Sequence, residues 1–363
     1  MSPVPPALIL GGGPAGTAAA ITLARGGVRA LVIERDRTTR DALCGGFLSW
    51  RSLETLAALG VAADELNPAP IRRTRLFAGE RRLEAMLPRP ALAVSRHRLD
   101  TLLLARAAAV AGVERGVAVR AVEDDMVRLA DGATLGAPAL FLATGKHDLR
   151  GLARPEAARG ADPTLGLRLR LAPHPTLDRL VGDAVELHLF ARGYAGIARQ
   201  EDGSVNLCLA VHRSRLTEAG TPAALLARLG REHPALGERI AFMAGEATID
   251  AIANVPYGWR VRAGQAGLYR LGDQAGVIPS LAGEGMGIAL ASGRDAATAF
   301  LKGDAATAWQ PRFAQALARP IGIAGVLRSL AEGRAAPWLV ALAPPALIGL
   351  VAHATRIGPP SAA

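Results

Sequence analysis

The chain opens on short apolar blocks separated by glycines. In ALILGGGPAGTAAAITLARGGVRALVIERD, Ala7–Leu10 and Ala30–Ile33 are continuous apolar runs with the length of buried strands. Between them lies an alanine-rich stretch with no charge before Arg25. The pattern predicts strand, tight turn, helix, strand, the crossover unit of a parallel sheet. A second helical stretch, VSRHRLDTLLLARAAAVAGVE, precedes a strand-like GVAVRAVE. In GLYRLGDQAGVIPSLAGEGMGIALASGRDAA a strand runs into Gly272-Asp273, then a loop with Pro279, then a glycine-rich helix start. From Gly166 to Tyr257 the pattern is strand-like, with a hairpin turn at Glu201 to Ser204. Cys208 in VNLCLAV alternates with its neighbours and is expected in the core. Ala335 to Thr355 holds no Asp, Glu, Lys or Arg and is almost long enough to span a bilayer. Pro344 and Pro345 interrupt it, each costing ~3 kcal/mol inside a helix. Two short apolar helices are expected, capping a cavity or dipping into a membrane surface.

The glycines carry chemistry. Gly11, Gly13 and Gly16 form G-x-G-x-x-G after a strand and into a helix, with Glu34 closing the second strand. This is the dinucleotide fingerprint in its required context. Free N–H groups at the helix start favour a pyrophosphate, and Glu34 can accept from both ribose hydroxyls. Asp273, at a strand end, can accept from a ribityl hydroxyl. The run Gly283, Glu284, Gly285, Met286, Gly287 supplies a second helix N-terminus for the anionic side of a flavin ring.

Charge narrows the partners. The formal charge is +10, and Lys146 and Lys302 are the only lysines. The arginines are scattered except between Arg72 and Arg82, and aromatics make up 4% of the chain, which excludes the basic stripe with interleaved aromatics of a nucleic-acid binder. An anionic ligand or an anionic membrane surface suits the charge better. Cys44 and Cys208 lie too far apart for a disulfide framework or a zinc pattern, so no metal is expected. A reducing cytoplasm is implied, with membrane association at its inner face as the alternative. The first residues, MSPVPPALILGGGPAG, lack the charged n-region of a secretory signal. The sequence does not give the oligomeric state.

Together, Gly11, Gly13, Gly16, Glu34, the CGG of Cys44–Gly46, the RxxLDxxL of Arg96–Leu103 and the GDxAGxxxPxxGEG of Gly272–Gly285 resemble the FAD-dependent oxidoreductases of the p-hydroxybenzoate-hydroxylase superfamily, the geranylgeranyl reductase branch above all. The resemblance implies an α/β fold. A Rossmann-type, glutathione-reductase-like FAD domain would comprise 1–72, 93–150 and 262–320. A mainly antiparallel β-sheet substrate domain would comprise 73–92 and 151–261, and a helical apolar segment 321–363. It also implies a non-covalent FAD. Contacts are expected from Gly11, Gly13, Pro14, Ala15, Gly16, Glu34 and Arg35 at the adenosine and pyrophosphate, with Arg96 at the phosphate–ribose region and Val119 near the adenine. Asp273 would bind the ribityl chain, Gly285 and Met286 would lie against the isoalloxazine, and the loop of Cys44, Gly45, Gly46 and Leu48 would sit beside the flavin, with Thr144, Gly145, Gly272, Pro279, Gly283 and Gly287 as further cofactor contacts. Cys44 is expected to line the cavity rather than act as a nucleophile. Tyr194 is a further candidate for the reaction site, and the junction aromatics Tyr257 and Trp259 either line the pocket there or only seal the core.

Two departures bear on the reaction. Where hydroxylases of the superfamily carry Asp-Gly, this chain has Thr144-Gly145, followed by Lys146, His147 and Arg150. NAD(P)H or another transient donor stays open, and the basic loop is either solvated or meets an anion. The Gly-Tyr-Gly-Trp-x-Phe-Pro segment of the reductase branch is reduced to Gly193-Tyr194, and the Trp-x-Trp-x-x-Pro of flavin halogenases is missing. The expected reaction is reduction of a carbon–carbon double bond in a hydrophobic, polyene, isoprenoid-like or alkyl-phenol-like molecule. The alternatives are flavin-dependent hydroxylation of an aromatic or polyketide-type substrate, and a flavoprotein that only carries electrons.

Overall fold

The structure is a computed structural model and describes residues 5–123, 126–245 and 247–357. Parts of the expected domains and of the N-terminal stretch, at 1–4, 124–125, 246 and 358–363, lie outside the described residues.

Five parallel strands form the first sheet. Leu8–Leu10 lies at its centre, between Leu31–Glu34 and Leu140–Leu142, with Gly112–Arg115 and Leu268–Arg270 at the edges. Leu8, Ile9 and Leu10 are wholly buried, which is why their run is continuously apolar. The helix Pro14–Arg25 covers one face and packs on the helix Gly285–Leu301 so closely that a Cβ on Gly293 would come 2.2 Å from the Ala15 carbonyl. The small antiparallel sheet Val119–Glu123, Met126–Leu129 and Thr134–Gly136 covers the other face, its Val122, Val127 and Leu129 clustering with Leu8, Leu10 and Ile33.

The second sheet has eight strands. In spatial order they are Ile249–Val255, Thr164–Leu171, Val205–His212, Gly193–Arg199, Ala184–Phe190, Ile71–Ala78, Arg81–Ala93 and Phe47–Leu48. All pair antiparallel except Ala184–Phe190 with Ile71–Ala78. The expected hairpin joins Gly193–Arg199 to Val205–His212. Period-two alternation turns Val205, Leu207, Leu209 and Val211 into a core with Leu225, Leu226 and Leu229 of the helix Pro222–Glu232. The even positions 206, 208 and 210 therefore face the other way, toward the first sheet. Phe47–Leu48 pairs with Leu92 and Ala93, so the Cys44 loop is held between the two sheets.

The long helix Ala306–Ala331 leads to the two expected short helices, Ala336–Leu342 and Pro345–Ala354, which meet at the prolines with a bend of 111°. Among the described residues no single helix is long and apolar enough to cross a membrane.

Candidate active site

A cavity of about 1310 Å³ runs from the Gly11 turn, past the Cys44 loop, to the C-terminal helices. It exceeds the ~300–1,000 Å³ of an ordinary ligand pocket, and its two ends differ in chemistry.

The first end is built for a polar, anionic ligand. Gly11 has φ +108°, and a Cβ there would lie 2.5 Å from the Ala143 carbonyl, so only glycine permits this turn. Gly13 caps the helix Pro14–Arg25 without a side-chain bond, leaving first-turn N–H groups open. Glu34 accepts from Gly12 N at 2.6 Å and from Asp36 N at 2.8 Å. Its carboxylate is thus fixed in the wall with lone pairs to spare. Arg96 grips Asp100 as a fork, Nε to Oδ1 at 2.9 Å and Nη2 to Oδ2 at 2.6 Å. Burial alone would lower the Arg96 pKa, but the Asp100 charge outweighs it and raises it, so the guanidinium stays charged. Burial raises the Asp100 pKa, with Arg96 opposing.

The middle is lined largely by glycine backbone. A Cβ on Gly45, Gly145 or Gly285 would meet nothing within 4 Å, a cradle for something flat. Asp273 lines the same stretch, and among the described residues its carboxylate has no hydrogen-bond partner. The Cys44 thiol accepts from Gly46 N at 3.4 Å, and the Cys44 carbonyl accepts from Asn206 Nδ2 at 2.9 Å and from the Cys208 thiol at 3.1 Å. Glu284, just before Gly285, is buried and pairs with Arg356 at 2.6 Å, while Ser49 donates to it at 3.2 Å. Burial raises the Glu284 pKa against the pull of Arg356.

The far end is an apolar chamber between Leu76, Leu187 and Leu189 of the sheet and Leu339, Val340 and Leu347 of the C-terminal helices. The hydroxyls of Thr74, Tyr194, Tyr257 and Ser280 interrupt it. Tyr194 donates to Ser280 Oγ at 2.5 Å, and Tyr257 shares a hydrogen bond with the same oxygen. Burial pushes both phenols above their usual range, so they remain donors. Within the trio of Tyr194, Tyr257 and Ser280, three hydroxyl protons and two mutual bonds leave one O–H for a ligand.

Residues 5–134 match the FAD binding domain family. No curated protein matches the chain. The chain is a flavoprotein by its FAD-binding domain. Solved structures share the flavoprotein's fold at low identity. A flavoprotein/dehydrogenase from Cytophaga hutchinsonii is 18% identical over 97% of this chain and 93% of its own, with a TM-score of 0.77. PqsL of Pseudomonas aeruginosa, a probable FAD-dependent monooxygenase, is 19% identical over 93% and 99%, with a TM-score of 0.71. The flavin-dependent brominase Bmp2 is 14% identical over 98% and 95%, with a TM-score of 0.76.

Most sequence-expected residues of the flavoprotein meet in this one cavity. Gly11, Gly13, Pro14, Ala15, Glu34, Arg35, Cys44, Gly45, Gly46, Arg96, Val119, Thr144, Gly145, Gly272, Asp273, Gly283, Gly285 and Met286 line it, as do Tyr194 and Tyr257. Five others do not. Leu48 is wholly buried in the core. Gly16 serves the turn itself, since a Cβ there would lie 2.0 Å from the Gly11 carbonyl. At Gly287 a Cβ would strike Glu284 Oε1 at 2.3 Å. Pro279 is buried behind the wall. Trp259 lies under the Arg154 guanidinium at 5.7 Å and seals the junction. Cys208 is corrected in the other direction. It leaves the core for the cavity wall because the alternation was read without knowing which face meets the helices. Sequence reasoning missed Ser280, although it directly follows Pro279. It also missed Arg356, for which local sequence carries no signal.

Proposed function

We propose that the enzyme is a flavin-dependent monooxygenase acting on a hydrophobic small molecule with one oriented oxygen function, such as a phenol. The hydroxyl trio in the apolar chamber carries this reading, because its single spare O–H can hold the oxygen of an otherwise greasy substrate beside the flat cradle. Neighbours named as a monooxygenase and a brominase favour oxygen chemistry over the double-bond reduction expected first.

In this reading Glu34 holds the adenosine ribose, and the open N–H groups of Pro14–Arg25 hold the pyrophosphate. Arg96 neutralises charge near the phosphate and ribose. Asp273 binds the ribityl chain. The N–H groups at the start of the helix Gly285–Leu301 would stabilise negative charge on a bound flavin ring. The bound flavin supplies electron transfer and oxygen activation. Tyr194, Ser280 and Tyr257 orient the substrate, and the C-terminal helices exclude water. Lys146 donates to the Leu43 carbonyl at 3.1 Å and braces the Cys44 loop.

The deciding experiment supplies chemically reduced holoenzyme with candidate alkyl and alkenyl phenols and polyenes, first without oxygen and then with ¹⁸O₂. Labelled product only after oxygen is expected. Product and flavin reoxidation under anaerobic conditions would overturn the reading in favour of reduction.

A further inference from the structure

The charge-free C-terminal pair is not used up in covering the cavity. Trp338, Leu342 and Leu350 are 67%, 78% and 67% exposed, and Leu339 and Leu347 are also open to solvent. On the adjoining long helix Val326 and Leu330 are exposed as well. Four of these leucines, 330, 339, 342 and 347, also line the cavity. The outer apolar face and the inner apolar chamber are therefore continuous, and the mouth between them is apolar on every named side.

We propose that this face docks the enzyme on an anionic lipid surface and that the cavity opens into that surface. The helices have seven and ten residues, or about 10 and 15 Å at ~1.5 Å per residue. Neither approaches the ~30 Å hydrocarbon core, and the 111° bend prevents them from adding up. They lie in the interface and do not span it. Charge favours anionic headgroups. Ala335–Thr355 carries no charge, whereas Arg319 and Arg334 at its approach and Arg81 beside it are exposed and make no ion pair among the described residues. Arg81 belongs to the hairpin whose Gly79 abuts Pro337, where Glu80 is the opposing charge. Arg319, Val326 and Leu330 recur at i, i+7 and i+11 and share one helix face. A docked membrane would hand an apolar substrate to the chamber without exposing it to water.

The inference deepens the proposed function by fixing how its substrate arrives. Binding is read on the holoenzyme without turnover, so the two fail separately. Vesicles of phosphatidylcholine, alone or mixed with phosphatidylglycerol, are floated with wild type and with Val326→Gln/Trp338→Ser/Leu350→Gln, whose positions lie outside the cavity wall. FAD content and melting temperature serve as fold controls. Wild type is expected to float with the mixed vesicles, and the triple variant to bind at least about tenfold less. Arg81→Gln/Arg319→Gln/Arg334→Gln should lose the preference for the mixed vesicles and its salt sensitivity. The proposal is overturned if wild type stays in the bottom fraction with both vesicles or if the apolar variant floats equally well. It is equally overturned if wild type is a dimer that this variant dissolves, which would make a second copy the occupant.

Discussion

Arg356→Gln tests whether the C-terminal segment is tied to the flavin cradle by charge. In the wild type the Arg356–Glu284 pair has side-chain exposures of 7% and 1%, and the guanidinium lies over Phe47 and Trp50 at 5.7 and 5.5 Å. Removing one partner of a buried pair costs ~3–5 kcal/mol when the other is left charged. Glu284 has a cheaper course, which is to take up a proton. Starting from its ordinary pKa of 4.5, that costs roughly 3 kcal/mol at pH 7 and under about 1 kcal/mol at pH 5, at ~1.4 kcal/mol per pH unit. The sign follows from the raised pKa. A carboxyl whose folded pKa lies above its unfolded value favours the fold at low pH and loses that contribution as pH rises through the folded value. The variant raises this pKa further, so its deficit grows with pH. For a chain of 363 residues the melting temperature should fall by roughly 4 °C at pH 7 and by less than about 1 °C at pH 5, at fixed free FAD. Glu284→Gln/Arg356→Gln should recover most of the loss at pH 7. An equal deficit at both pH values, or no recovery in the double variant, would refute the reasoning.

Three further outcomes are expected. Asp273→Ala removes a hydrogen bond to a charged acceptor, worth ~1.5–3 kcal/mol, and should weaken FAD roughly ten- to a hundredfold in a fluorescence titration of the apoprotein. Cys44→Ser should keep its flavin and change turnover by less than about tenfold, equivalent to about 1.4 kcal/mol of barrier, whereas Cys44→Leu should keep flavin and raise KM steeply; loss of turnover in the serine variant would place the thiol in the chemistry. Burial pushes the Cys208 thiol up to about 12, with Cys44 adding to the rise, so iodoacetamide at pH 8 should leave Cys208 unlabelled in intact holoenzyme by peptide mass spectrometry.

Much of the flavin end was legible in the sequence because it is made by local geometry. The G-x-G-x-x-G turn, the strand ending in Glu34 and the glycine-rich start of Gly285–Leu301 each need only a few consecutive residues, and backbone rather than side chains forms most of the cradle. The wall residues of the chamber were not legible in this way. Cys208 shows why: alternation gives two faces, and only the packing of Pro222–Glu232 on the odd positions decides that Cys208 faces the cavity. Leu48 and Trp259 lie off the cavity wall for the same reason, since nearness in sequence to a site residue does not say which way a side chain turns. Ser280 gains its role from Tyr194 and Tyr257, which stand 86 and 23 residues away along the chain. Arg356 reaches Glu284 across 72 residues. The sequence by itself determined the cofactor, the sheet that binds it and the broken apolar tail, because those depend on short-range spacing and backbone freedom. The tertiary structure alone decided the shape of the chamber, the hydroxyl trio in its wall and the buried ion pair beside the cradle, because these depend on contacts between residues far apart in the chain.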